Sequence, residues 1–214
     1  MKIGILGSGD VGRALGTGLT RIGHDVMIGS RSADNEKLKT WAEKTGASAS
    51  IGTFADAASF GEMIFLCTLW SGTENALQLA DIENFMEKVV VDVTNPLDFS
   101  KGMPPGLALG HTDSGGEQVQ RWLKDSSVVK AFNTVGNTLM VNPNFPEGTP
   151  DMFYCGNNKD AKEKVKDILL KFGWNPIDIG GIEGARLLEP MCILWVIYGA
   201  STNTWNHAFT LLKK

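Results

Sequence analysis

The sequence is short of cysteine, of histidine and of long apolar runs, and each shortage closes off a class of function. Cys67, Cys155 and Cys192 are the three cysteines in 214 residues. They are far apart, odd in number and without ligand spacing. A disulfide framework and a zinc site are therefore not expected, and a reduced, cytoplasmic setting fits. All three read as buried apolar fillers. His24, His111 and His207 do not cluster, so no metal centre and no histidine-based catalytic group are expected. The longest apolar run, Met191 to Tyr198, falls well short of the ~20 residues that span a bilayer. No membrane association or targeting segment is expected, because Lys2-Ile3-Gly4-Ile5-Leu6 lacks the pattern of a signal peptide. Basic runs are missing too, and the net charge is −4, which argues against nucleic acid as a partner.

What is present is the balance of a globular protein, 43% hydrophobic and 21% charged residues, with length enough for a buried core. Short apolar runs at Ile3–Leu6, Asp25–Ile28, Glu62–Cys67 and Lys88–Val93 read as strands. Segments of helical period lie between them, at Asp10–Ile22, Ala33–Lys44 and Thr73–Leu79. Val89-Val90-Val91 is apolar on both faces, as parallel sheets require. A proline-rich loop follows, and Ser114 with Glu117 predicts a capping box opening a helix to about Lys124. Strands are predicted at Ser127–Phe132, Met152–Cys155 and Trp174–Ile179, a helix at Asp160–Phe172, and a helical tail from Ile182 to the end. The alternation predicts an α/β fold: a Rossmann-type, doubly wound, mostly parallel sheet with a small C-terminal α/β extension. Residues 1–140 form the dinucleotide-binding part. Residues 141–214 form the extension, packing on it and on a second subunit, because Trp195, Ile197, Tyr198 and Trp205 need cover; a homodimer is expected.

Two motifs carry chemistry. Gly7-Ser8-Gly9-Asp10-Val11-Gly12 matches G-x-G-x-x-G directly after a strand and at the start of a helix. In that context Gly7 permits a tight turn, Gly9 leaves room for a pyrophosphate, and Gly12 allows close packing. The helix N-terminus then offers free N–H groups to phosphate. The second predicted strand ends in Gly29-Ser30-Arg31-Ser32, with no carboxylate to hold a ribose 2′-OH. Ser30 and Arg31 suit a 2′-phosphate instead, so the cofactor is read as NADP(H).

Together with Thr68-Leu69-Trp70, Thr94-Asn95-Pro96-Leu97, Asn133-Thr134 and Arg186-Leu187-Leu188-Glu189, these motifs resemble the NADP oxidoreductases that use the deazaflavin coenzyme F420. The chain is also similar to the reductase domain of six-transmembrane metalloreductases. The resemblance implies direct hydride transfer between the nicotinamide and a deazaflavin or flavin-type ring. It places the nicotinamide near Thr68, Leu69, Trp70, Asn95, Pro96, Asn133 and Thr134. Trp70 would stack on a ring or fill core. Ser114-Gly115-Gly116 would present donors to an anion or ring carbonyl, or be a plain helix cap. No catalytic acid or base is identified, and direct transfer between rings does not demand one. The function predicted is an NADP(H)-dependent oxidoreductase with a small-molecule redox acceptor. The alternatives are a non-catalytic NADP(H) redox sensor and a small imine or keto reductase.

Overall fold

A computed structural model describes residues 1–212. Its chain order is β1 (Lys2–Leu6), α1 (Asp10–Arg21), β2 (Asp25–Ser30), α2 (Glu36–Thr45), β3 (Ala49–Thr53), α3 (Phe54–Phe60), β4 (Met63–Leu66), α4 (Trp70–Leu79) and β5 (Val89–Asp92). The short strands β6 (Leu97–Asp98) and β7 (Gly106–Leu107) follow. The chain continues through α5 (Gly115–Trp122), β8 (Ser127–Lys130), β9 (Asp151–Gly156), α6 (Lys159–Lys171), β10 (Asn175–Asp178) and α7 (Ala185–Thr202).

Eight strands form one sheet in the order β10-β9-β8-β5-β4-β1-β2-β3. From β3 to β8 all neighbours are parallel; β9 joins β8 antiparallel, and β10 runs parallel to β9. The chain thus starts in the middle and winds outward in both directions, which creates a switch point between β1 and β4. Alternation along the strands separates two cores. Ile3, Ile5, Phe65, Val91 and Val129 pack with α1, α2 and α6 on one face. Leu6, Ile64, Leu66, Val90 and Val128 pack with α3, α4 and α5 on the other. The doubly wound fold predicted from the alternation is the fold observed.

Several details differ from the sequence-based expectation. The proline-rich stretch after β5 holds the two-residue ribbon β6–β7. The last helix stops at Thr202, where Asn203 takes a left-handed conformation and the N–H of Thr204 bonds back to Gly199. The tail then folds back: Trp205 packs 5.4 Å from Trp195 between ring centroids, and the N–H of Asp151 donates to the Phe209 carbonyl. His207 therefore lies beyond the helix, stacked on Trp195 at 4.7 Å. Of the predicted extension, Lys213 and Lys214 lie outside the described residues. No helix among the described residues is long and apolar enough to cross a membrane.

Candidate functional site

Parallel register brings the C-terminal ends of β1, β2, β4, β5 and β8 to one edge of the sheet. Those strand ends, the loops leaving them and the first turns of α1 and α4 carry every site residue expected from the sequence: Gly7 to Gly12, Ser30 and Arg31, Thr68 to Trp70, Asn95 and Pro96, and Asn133 and Thr134.

The three glycines of the first loop do three different jobs. Gly7 has φ +133° and lies so close to β4 that a Cβ there would sit 2.4 Å from the Cys67 carbonyl oxygen. A Cβ on Gly12 would sit 2.1 Å from the Gly7 carbonyl oxygen, so helix α1 folds tightly onto its own loop; the close contact is with the loop more than with the strand. Gly9, by contrast, faces open space, with nothing within 4 Å of its missing side chain. It is the N-cap of α1, and no side chain caps that end. The result is a bare helix N-terminus with an empty approach, a geometry suited to phosphate. Arg13 braces the loop from the first turn of α1. Its guanidinium donates to the Ser8 carbonyl at 2.6 Å and pairs with Asp10.

At the end of β2, Ser30 is buried, and its hydroxyl donates to the Ser32 carbonyl at 2.6 Å. Its role in the protein alone is to shape the turn. Arg31 is exposed and makes no hydrogen bond or ion pair among the described residues. The nearby carboxylate of Asp34 is engaged by Lys39, whose hydrogen bond holds its pKa below the usual range. An unpaired guanidinium, of the kind that pairs with phosphate, thus stands at the end of β2.

At the far side of the edge, Thr68 and Thr73 share a 2.9 Å hydroxyl hydrogen bond, and Leu69 stands 84% exposed at the start of α4. Trp70 is stacked on Trp122 of α5, with ring centroids 5.6 Å apart. Together with Ser71, Glu74, Ala108, Leu109 and Gln118 the two rings line an open groove. Asn95 and Asn133 bind one another: the Asn95 amide donates to the Asn133 carbonyl, and the Asn133 amide donates to Asn95 Oδ1, both at 2.9 Å. The Asn133 amide also donates to the Leu188 carbonyl. Its orientation is therefore set by two acceptors, and its Oδ1 is left buried with no partner. A buried acceptor without a donor is costly. The open Gly9, the unpaired Arg31 and this orphaned oxygen together fit a dinucleotide laid along the edge.

The glycines at the start of α5 do not offer free donors. Gly115 and Gly116 both donate to the carboxylate of Glu189, at 2.9 and 3.0 Å. The anion at that helix N-terminus is the chain's own. Ser114 caps the helix, accepting from the Glu117 N–H at 3.2 Å. The reciprocal half of a capping box is missing, because the Ser114 N–H goes to Asp113 and the Glu117 carboxylate is held by Arg186.

Sequence reasoning missed the strongest charged constellation. Asp92 and Lys130 end β5 and β8 and stand opposite each other in register. Lys130 Nζ lies 2.8 Å from Asp92 Oδ2 and 2.8 Å from Glu189 Oε1, with all three side chains fully buried. Asp92 Oδ1 accepts from the N–H and hydroxyl of Thr94, at 2.9 and 2.7 Å. Burial acts to lower the pKa of Lys130, but the two carboxylates outweigh it and raise it, so the ammonium stays charged. The one available signal was a lysine ending a short strand directly after two buried valines.

Burial pushes the thiols of Cys155 and Cys192 up to about 12 and about 11 and raises that of Cys67 as well. His111 sits exposed in a turn with φ 59°. Among the described residues no three His, Cys, Asp or Glu side chains group as a metal site.

Comparison with known proteins gives relatives for the chain as a whole. A family model described as NADP oxidoreductase, coenzyme F420-dependent, matches residues 2–96. The chain is 32% identical over 206 residues to the F420-dependent NADP reductase of Methanocaldococcus jannaschii, covering 92% of this chain and 91% of that protein. It is 31% identical over 189 residues to the metalloreductase STEAP3 of Rattus norvegicus, covering 88% of this chain; the match spans only 36% of that longer protein. Among solved structures, a candidate F420-dependent NADP reductase from Arthrobacter sp. FB24 superimposes with a TM-score of 0.93 at 36% identity, over 100% of both chains. An imine reductase from Streptomyces aurantiacus shares the fold, with a TM-score of 0.66 at 15% identity, over 95% of this chain and 64% of that one.

Proposed function

The chain belongs to the coenzyme F420-dependent NADP oxidoreductase family, and from that premise we propose that it passes hydride between NADP(H) and a deazaflavin or flavin-type ring. The observation that carries the reading is the pairing of an open Gly9 at an uncapped helix start with an unpartnered Arg31 on the adjacent loop. Bound there, the dinucleotide would supply the hydride.

The chain's own residues bind, orient and exclude water. The N–H groups opening α1 would hold the pyrophosphate, and Arg31 the 2′-phosphate. Asn133 and Asn95, locked to each other and to α7, would fix the nicotinamide end. Leu69 offers an apolar wall at the mouth. Trp70, backed by Trp122, edges the groove in which the second ring would lie. Direct transfer between two oriented rings needs no proton-moving side chain, and that role is assigned to none.

We read residues 1–140 as the dinucleotide-binding part and 141–214 as an extension seated on it, with a second copy covering α7. Three free cysteines suit a reduced, cytoplasmic setting. NADPH oxidation assayed in parallel with coenzyme F420, FMN, FAD and ferric chelates tests the acceptor. Turnover should be fastest with F420 or a flavin. Tight NADPH binding without turnover on any acceptor would show the protein to be a sensor of the cofactor.

A further inference from the structure

Dinucleotide binding alone does not explain why Asp92, Lys130 and Glu189 are buried together, each no more than 1% exposed. Two carboxylates and one ammonium leave one formal negative charge sealed inside the protein. Every partner of the two carboxylates is a donor: Thr94 and Lys130 for Asp92, Gly115, Gly116 and Lys130 for Glu189. Neither oxygen pair has an acceptor to receive a carboxyl proton. The N-terminus of α5 offsets part of the charge, roughly half a unit at most. A net negative remains.

Such a cluster is a poor way to stabilise a fold. Well-packed apolar side chains of similar volume do as well or better than a buried ionic triad. Its position suggests another use. Asp92 ends β5, two residues before Thr94 and three before Asn95; Lys130 ends β8, three residues before Asn133. Glu189 follows Leu188, whose carbonyl holds the Asn133 amide. The buried charge is therefore tied to the Asn95–Asn133 pair through the ends of β5 and β8 and through α7.

We propose that Asp92 and Glu189, arranged around Lys130, place a net negative charge behind the nicotinamide end of the site and so favour binding of the oxidised cofactor over the reduced one. The inference rests on the cofactor reading given above. The physical reason is the charge difference between the two cofactor forms. The oxidised nicotinamide ring is a cation and the dihydro ring is neutral, the two differing by one hydride, a proton and two electrons. A fixed negative charge in a water-poor interior attracts the first and is indifferent to the second. The bound reduced cofactor becomes the better hydride donor. Asp92 and Glu189 touch neither ring and are positioning residues acting through their field.

Titrating the folded protein separately with NADPH, NADP+ and 2′-phospho-ADP-ribose, which lacks the nicotinamide, tests this. Glu189→Gln keeps the shape, removes the charge and leaves Lys130 paired with Asp92. It should weaken NADP+ relative to NADPH by on the order of ten-fold and leave 2′-phospho-ADP-ribose unchanged. Glu189→Asp keeps the charge and shortens the reach to Gly115 and Gly116. It should weaken both forms alike, without moving their ratio. Asp92→Asn repeats the neutralisation from the other strand and should move the ratio in the same direction even if Glu189→Gln does not fold. A ratio that stays at the wild-type value in both neutralised variants, or that moves equally in Glu189→Asp, overturns the inference. A wild type that binds neither form overturns the cofactor reading and this inference with it, whereas binding of both with an immovable ratio overturns this inference alone.

Discussion

Arg31 is the residue on which the proposed choice of cofactor rests. It is exposed and unpaired, so its substitution disturbs no interaction within the protein. A hydrogen bond to a charged group is worth about 1.5–3 kcal/mol. Arg31→Asp should accordingly weaken NADPH binding by roughly ten- to a hundred-fold and leave NADH nearly untouched; equal losses for both would remove Arg31 from the site. The glycines give a second contrast. Gly9→Val should leave the melting temperature nearly unchanged, since its side chain enters open space, yet abolish dinucleotide binding. Gly12→Ala should do the reverse first, because its Cβ would meet a backbone oxygen at 2.1 Å. Overpacking of that kind costs about 1–3 kcal/mol, measurable as a lower urea midpoint with the cofactor absent. These residues were legible in the sequence because their work is local: a turn, a cap, a short approach. Asp92, Lys130 and Glu189 were not, since each looks ordinary alone and they meet only through parallel register and the docking of α7.

Helix α5 shows how an element is set by partners the sequence could not pair. Its glycines and Ser114 were readable as a helix start, but the carboxylate that occupies its N-terminus comes from Glu189 on α7. Its second tie to α7 is the contact of Glu117 with Arg186, at 2.8 Å to Nε. The hydrogen bond from Arg186, ahead of that from Ser114, holds the Glu117 carboxyl below its usual pKa. A lowered folded pKa means stability that is fully present above the unfolded value of about 4.3 and is lost as pH falls through the lower folded value. The gap in urea midpoint between the wild type and Glu117→Gln should stay constant from pH 7 to about pH 5 and close below it. The variant should start from the lower midpoint. Parallel curves for the two proteins would mean that Glu117 contributes no pH-dependent stability. Element boundaries were the less legible part throughout. Apolar periodicity continues past Thr202, and the left-handed Asn203 that ends α7 gives no signal in a hydrophobic pattern.

At the scale of the whole molecule, α7 is half used. One side carries Leu188, Cys192 and Trp195 into the protein, and Gly199 receives the ring of Trp205 from the returning tail. The other side leaves Leu187, Leu194, Ile197 and Tyr198 between 43% and 67% exposed. The tail therefore supplies only part of the cover that the composition demanded, and scattered exposed leucines are ordinary where a helix-long stripe of them is not. A second copy of the chain, related by a two-fold axis, would bury the stripe against itself. Stable interfaces bury roughly 1,200–2,000 Å², more than one helix face supplies by itself, so neighbouring surface must join it. Leu194 is the useful probe, because its side chain makes little of the protomer's own core. Leu194→Glu should leave the thermal transition of the protomer fold intact while sedimentation velocity at micromolar concentration shows a shift from dimer to monomer. A wild type that sediments as a monomer, or a variant that remains a dimer, would place the cover of α7 elsewhere. Because Leu188 on the same helix holds the Asn133 amide, the monomeric variant should also bind NADPH more weakly than the dimer, with 2′-phospho-ADP-ribose unaffected: loosening α7 reaches the nicotinamide end of the site and leaves the phosphate loop at α1 alone.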